Sequence, residues 1–293
     1  MKTGKKTTAF ALAAVTAVTA LALPGASGAA GNDYDRGRSK EFGRQLFATD
    51  ASGNLLSFRV GLPWLVQRDQ ITGLPATVKL VGIDFRPATG DLYGVGSDSV
   101  IYRVNPHTAI AIAEGPAFTP ALNGTSFGVD FNPTVDKIRL TSDAEQNLRL
   151  DPDPGTVLFT DGALNPGNPN VVGSAYTNSA FTATKPMTTK LFAVDSETDM
   201  LLTQSPPNAG TLVEGKPLKV DIGSQTGFDI AGTDNVAYMV TQGANKYGAG
   251  LYTVDLDTGK ARFRGLVGTG NESITGLAAW QGETRRSSSW WGR

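Results

Sequence analysis

The strand Leu92-Tyr93-Gly94-Val95 and the segment that begins ten residues before it, Gly82-Ile83-Asp84-Phe85, together decide the fold. Copies of the strand begin at residues 46, 92, 138, 191 and 237, so the offsets are 46, 46, 53 and 46. Copies of the upstream segment begin at residues 82, 128 and 227, each ten residues before its strand. A repeat of about 46 residues with short apolar strands is typical of a four-stranded β-propeller blade.

The first repeat lacks the upstream segment, because the expected position holds the charged and unpatterned run 36–40. A segment of the missing type appears at the other end of the chain, as Gly276-Leu277-Ala278-Ala279-Trp280. This circular offset predicts an all-β, five-bladed β-propeller with roughly four-stranded blades, closed by a C-terminal strand that completes the first blade. Closure of this kind removes the open sheet edge that would favour aggregation.

The fourth repeat is longer than the others. We place Ser174-Ala175-Tyr176 where the other blades have Gly-x-Asp, so that a seven-residue insertion falls between Asn178 and Thr189. In this alignment Tyr176 and Ala278 stand where the other three blades have an aspartate.

The N-terminus has the three parts of a secretory signal peptide, namely early lysines, an apolar run over residues 9–23 and small residues after it. The run is shorter than the ~20 residues that a membrane-spanning helix needs, although an uncleaved anchor stays open. We predict a signal peptide over residues 1–30, cleaved after Gly28 or Ala30. The protein is then secreted and extracellular, with no membrane span after cleavage.

The mature chain is expected to contain three regions. They are a mobile leader over residues 31–44, a single propeller domain over 45–281 and a disordered tail over 282–293. Trp290 and Trp291 near the end of the tail leave a docking role open.

Composition excludes several kinds of chemistry. Cysteine is absent, so disulfides and cysteine nucleophiles are excluded. The single histidine, His107, lies in a predicted surface turn. Zinc sites of the His/Cys kind and a Ser-His-Asp triad are not supported. After signal cleavage, 23 basic and 27 acidic residues give a net charge of −4, which argues against a nucleic-acid partner. We expect a monomer without a cofactor, calcium being the exception considered next.

Carboxylates are the remaining candidates for chemistry. Asp84, Asp130 and Asp229 occupy one equivalent place in three blades. In a structural interpretation, each accepts backbone N–H bonds within its own blade. In a second interpretation, they converge on the axis and bind a hard cation such as Ca²⁺. In a third, two of them act as catalytic acid and base on a glycosidic bond.

A second set of residues departs from the repeat pattern in the third and fourth blades. Its members are Arg139, Asn147, Arg149, Tyr176 and Asn178. Arginine and asparagine side chains can bind carboxylates or sugar hydroxyls, so these residues are candidate ligand-binding residues. Hydrogen bonding between adjacent blades is the structural alternative.

Several linked phrases also resemble a bacterial exported family, domain of unknown function 4394, over residues 45–280. The phrases are 81–90, 127–136, 142–143 with 146–149, 175–178 and 226–232. The resemblance implies a propeller-like fold and an exported protein, and it implies no activity and no catalytic residues.

The leading functional hypothesis is therefore a non-catalytic extracellular binding or interaction module, whose ligand is a carbohydrate, a cell-wall polymer or a protein. A secreted carboxylate-dependent hydrolase acting on glycans and a structural envelope protein are the alternatives.

Overall fold

The computed structural model of the chain describes residues 41–243 and 248–280. The predicted signal peptide, most of the predicted leader and the predicted tail lie outside the described residues. Within those ranges the chain forms twenty β-strands, one 3-10 helix, Pro207–Ala209, and a helical stretch at 41–43. No helix in the described part of the chain is long and apolar enough to cross a membrane.

The strands form five antiparallel, four-stranded sheets. Blade 1 contains β1 (Gln45–Asp50), β2 (Asn54–Arg59) and β3 (Leu62–Gln70). Blade 2 contains β4 (Leu80–Phe85), β5 (Leu92–Gly96), β6 (Ile101–Val104) and β7 (Ala111–Ala113). Blade 3 contains β8 (Phe127–Asn132), β9 (Lys137–Ser142), β10 (Asn147–Asp151) and β11 (Thr156–Thr160). Blade 4 contains β12 (Val171–Tyr176), β13 (Leu191–Asp195), β14 (Met200–Gln204) and β15 (Leu212–Pro217). Blade 5 contains β16 (Thr226–Ile230), β17 (Ala237–Thr241), β18 (Gly250–Val254) and β19 (Ala261–Leu266). Blade 1 is completed by β20 (Ile274–Ala279).

The closing strand confirms the predicted five-bladed propeller. β20 pairs antiparallel with β1, in a register that joins Leu46 to Ala279 and Asp50 to Ile274. The C-terminal strand therefore forms the inner edge of the blade that contains the first described strand. This pairing fastens the two ends of the propeller together and leaves no open inner edge.

Burial falls from the axis to the rim. The inner strands are buried on both faces, whereas outer strands such as β3 and β19 are largely exposed. Apolar side chains of adjacent blades share one core, as when Phe47 of blade 1 meets Phe85 of blade 2 with ring centroids 5.4 Å apart. Such packing between sheets holds the blades in place.

A ring of glycines closes the axis. Each inner strand carries one glycine that packs against the next inner strand: Gly82, Gly128, Gly173, Gly227 and Gly276. A Cβ atom at Gly82 would lie 2.5 Å from Cγ2 of Val129, and one at Gly227 would lie 2.7 Å from Cβ of Leu277. The void between these strands is only about 10 Å³. The inner strands therefore approach too closely at this level to leave an open channel.

The ring also corrects the sequence alignment of blade 4. Gly173 pairs with Val194 as Gly82 pairs with Val95, so Gly173, and not Ser174, is the equivalent glycine. The physical reason is steric, because the place in the ring that meets Phe228 of the next blade has no room for a side chain.

The corrected register changes which residues are equivalent. Ala175, and not Tyr176, occupies the place of the aspartates, and Tyr176 occupies the place of Phe85. Leu191 follows its glycine by 18 residues where the other blades have ten, so the insertion has eight residues and not seven. Blade 4 thus carries no polar group at the aspartate position.

The enlarged turn of blade 4, residues 177–190, crosses the end of the propeller. Its backbone at Ser179 and Ala180 packs against Gly232 in the first turn of blade 5. The ring of Phe181 contacts Gly90 in the first turn of blade 2. Blades 4 and 2 are not adjacent, so this segment passes over the axis at the end where the inner strands finish.

Candidate functional site

The three aspartates predicted as candidate residues meet on the propeller axis. Asp84, Asp130 and Asp229 lie near the ends of their inner strands, and one oxygen of each carboxyl lies within 4.8 Å of the others. The three side chains are 1–2% exposed. The equivalent places in blades 4 and 1 are the small residues Ala175 and Ala278, so five blades supply three carboxyls and two methyl groups around the axis.

Each aspartate accepts a backbone hydrogen bond from the next blade. The N–H of Phe131 donates to Asp84 at 2.7 Å, that of Tyr176 to Asp130 at 3.2 Å and that of Ala279 to Asp229 at 2.5 Å. Asp84 and Asp229 also accept the N–H of the following residue in their own strand, at 2.6 Å. The expectation of bonds within one blade was therefore incomplete, because these carboxyls also link neighbouring blades.

The environment favours the protonated form of the cluster. Burial raises the pKa of Asp84 and of Asp130 well above the ordinary value, and the neighbouring carboxyls raise both further. Burial also raises the pKa of Asp229, but the N–H bonds from Ala279 and Ile230 lower it. Asp130 and Asp229 interact directly, so their carboxyls titrate as a coupled pair. Three ionised carboxylates this close would repel one another, so protons are retained.

This geometry limits what the cluster can do. Carboxyl oxygens at these separations could hold a hard cation, since carboxylates are ligands that Ca²⁺ prefers. The glycine ring closes the axis beside the cluster, and residues 177–190 cross the other side. With 1–2% exposure, the carboxyls are out of reach of a polymeric glycan in this conformation.

The second predicted set lies mostly inside the interface between blades 3 and 4. Arg139 is 1% exposed and donates to Asn147 at 2.7 Å, to Asp161 at 2.7 Å and to Asn208 at 2.8 Å. Its Nε lies 3.4 Å from the hydroxyl of Tyr176. These contacts make Arg139, Asn147 and Tyr176 parts of a buried polar network.

Arg149 belongs to the same network at its outer edge. Its guanidinium donates two bonds to Asp161, at 2.8 and 3.0 Å, and stacks 4.0 Å above the ring of Phe159. Asp161 and Asn208 were not predicted, because they lie 22 and 69 residues from Arg139. The folding of blade 3 brings Asp161 to Arg139, and the packing of blade 4 against blade 3 brings Asn208.

Asn178 alone of the predicted set lies at an open groove. This groove, between blades 4 and 5, has a volume of about 720 Å³, within the usual range for ligand sites. Asn178 and Asn235 form two hydrogen bonds with each other. The backbone N–H of Asn178 donates to Oδ1 of Asn235 at 2.7 Å, and Nδ2 of Asn235 donates to Oδ1 of Asn178 at 2.9 Å. Both residues have positive φ, so the paired amides hold two strained turns rigid along one wall.

The sequence did not indicate the other polar residues of the groove. Lys190 lies on the side of blade 4, and Asp255 and Asp257 lie on the side of blade 5. Lys190 and the two aspartates lie more than sixty residues apart in the sequence, and no repeat pattern marks them.

The architecture and site together define a closed five-bladed β-propeller with a filled axis and a lateral groove. Residues 54–278 match the family described as "Domain of unknown function (DUF4394)", and the chain belongs to this family. No curated protein matches the chain.

Several solved structures match the chain at low identity and with low TM-scores. The structure described as "YCF48 bound to D1 peptide" is 12% identical, with a TM-score of 0.35, and the match covers 72% of this chain and 60% of that one. A structural genomics protein of unknown function from Bacteroides thetaiotaomicron is 16% identical, with a TM-score of 0.44 and coverage of 76% and 58%. The Dos1 propeller is 11% identical, with a TM-score of 0.41 and coverage of 76% and 60%. The chain thus spans about 60% of the length of these structures.

Proposed function

We propose that the mature protein is a non-catalytic, monomeric binding or interaction module that acts outside the cell. The groove between blades 4 and 5 is the main support for this proposal. It has a volume of about 720 Å³, and hydrogen bonds between Asn178 and Asn235 hold one of its walls in place. A preorganised wall reduces the entropy lost when a ligand binds. The basic and apolar start of the sequence supports export.

The buried aspartates support binding over catalysis. Asp84, Asp130 and Asp229 bond to the backbone of adjacent blades and are 1–2% exposed. A glycosidase needs its two carboxyls on either side of an accessible bond. The same residues hold the propeller together, which is a task that a rigid binding scaffold requires.

The test is binding of the mature chain to defined materials. Insoluble peptidoglycan, chitin, cellulose and an immobilised peptide library serve as probes, and the bound fraction is measured for wild type, Thr188→Trp and Thr184→Trp. Thr188 is exposed and lines the groove, so tryptophan there should fill it and lower binding at least tenfold. Thr184 lies exposed in the same insertion outside the groove lining and is the matched control.

Two results would contradict the proposal. One is binding that Thr188→Trp leaves unchanged for every probe. The other is release of soluble sugar from a polymer by wild type, abolished in Asp130→Asn, which would instead support the glycan hydrolase.

A further inference from the structure

The lateral groove has an apolar base and charged edges. Phe192 and Val254 are buried at its base, and Val236 and Leu256 are half-buried beside them. The groove can therefore remove an aliphatic or aromatic group from water as well as bind polar atoms.

Two unpaired carboxylates occupy one side of the groove. Asp255 accepts the N–H groups of Asp257 and Thr258 through Oδ1, at 3.1 and 3.0 Å, and its Oδ2 receives none of these bonds. Bonding from Thr258 lowers the pKa of Asp255, so this carboxylate is ionised at neutral pH. Asp257 is exposed. Among the described residues, no cation lies within salt-bridge distance of either carboxylate.

The opposite side carries a single cation. Lys190 is exposed, and no described acid pairs with its ammonium. Among the residues that line the groove, two negative charges thus face one positive charge across an apolar base. Outside the lining, Arg262 lies near Asp255, and the ammonium of Lys216 donates to the carbonyl of Leu256 at 3.0 Å. A complementary ligand places a cation near the aspartates, lays an apolar stem across the base and presents a carbonyl or carboxylate oxygen to Lys190.

We infer that the groove binds a peptide segment through a lysine or arginine side chain, an inference that rests on the proposed binding function. These side chains combine an aliphatic stem with a cationic head, and the backbone carbonyls of the same segment supply acceptors for Lys190. Hydrogen bonds in which one partner is charged are the stronger ones, so Asp255 and Asp257 contribute most of the selectivity.

The test is calorimetric titration of the full mature chain with three hexapeptides of glycine and alanine that differ at one central residue. The central residue is arginine, glutamine or glutamate. The arginine peptide should bind at least tenfold more tightly than the glutamine peptide, and the glutamate peptide should show no binding. High salt should weaken binding of the arginine peptide selectively, because Asp257 is exposed and Asp255 is only half-buried, so salt can screen both charges.

Variants locate the binding. The double variant Asp255→Asn/Asp257→Asn should lower affinity for the arginine peptide about tenfold or more, and Asp257→Asn alone should lower it less. Asparagine at 255 keeps the acceptor for Thr258, and the side chain at 257 makes no described bond, so neither change disturbs the fold. Exposed Glu197→Gln in blade 4 is the control and should leave affinity unchanged.

The outcomes separate the two proposals. Equal binding of all three peptides, or loss of affinity in Glu197→Gln alone, overturns the inference. Binding of chitohexaose or cellohexaose that Thr188→Trp abolishes, without binding of the arginine peptide, overturns the ligand class and leaves the binding function standing. Failure of every peptide and every polymer to bind overturns both.

Discussion

Replacement of Asp130 by asparagine should stabilise the propeller at neutral pH. Asparagine resembles a protonated aspartate, because Oδ1 can still accept the N–H of Tyr176 and Nδ2 can donate a hydrogen bond within the cluster as a carboxyl proton would. The variant has a neutral side chain with a hydrogen-bond donor at every pH, whereas wild-type Asp130 is neutral only while its carboxyl is protonated. At neutral pH, folding of wild type must either take up that proton or bury a charge.

The sign of the pH dependence follows from the raised pKa values. Burial raises the pKa of Asp84 and Asp130, so above the ordinary pKa the folded state binds more protons than the unfolded chain. The free energy of unfolding must then fall as pH rises from the ordinary aspartate pKa towards the folded one. Each extra proton held by the folded state contributes a slope of about −1.4 kcal/mol per pH unit.

The assay is chemical denaturation of the full chain at half-unit steps from pH 4.5 to 8.5. Between the ordinary aspartate pKa and the folded one, the free energy of unfolding of wild type should fall by about 1.4 kcal/mol per pH unit for each extra proton held, and that of Asp130→Asn should fall by about 1.4 kcal/mol per unit less. At pH 8, each kcal/mol by which Asp130→Asn is more stable than wild type should raise its melting temperature by roughly 2–4 °C, for a domain of this size.

Two variants serve as controls. Asp130→Ala removes the acceptor for the Tyr176 N–H and should destabilise at every pH, whereas Glu197→Gln at the surface should reproduce the wild-type slope. A flat wild-type profile, or an Asp130→Asn variant that is destabilised equally at pH 5 and pH 8, would show that the cluster holds no extra protons.

Three further predictions concern the glycine ring, the buried arginine and calcium. Gly82→Ala should destabilise by about 1–3 kcal/mol because its Cβ would lie 2.5 Å from the next blade, whereas Gly43→Ala, with open space around it, should be neutral in the same urea denaturation. Arg139→Ala removes the buried guanidinium that donates to Asn147, Asp161 and Asn208, although Arg149 still bonds to Asp161, and it should cost about 3–5 kcal/mol, measured by thermal and urea unfolding; a loss below 1 kcal/mol would show that water replaces the guanidinium. If the cluster binds calcium, 5 mM Ca²⁺ should raise the melting temperature of wild type at pH 8 but not that of Asp130→Asn, and an unchanged wild-type value would contradict a cation site.

Sequence periodicity was sufficient to predict the architecture. Short apolar strands at a spacing of 46 residues defined the blades, and the displaced segment at 276–280 predicted the closure that β20 and β1 form. These are local properties, because the strand period and the turn residues are set by neighbours in the chain.

Register and side-chain partners depended on the assembled blades. The choice of Gly173 over Ser174 follows from contact with Phe228, and the partners of Arg139 include Asn208, 69 residues away. Patterning within one strand cannot encode a contact between two sheets, since each sheet is compatible with many neighbours until the ring closes.

The three aspartates show this division within one site. The sequence by itself determined that Asp84, Asp130 and Asp229 are equivalent, because repeated position implies repeated geometry. Only the tertiary structure decided that they meet within 4.8 Å, bond to the next blade and retain protons. The physical reason is that five inner strands must converge on one axis before their carboxyls can interact or lose water.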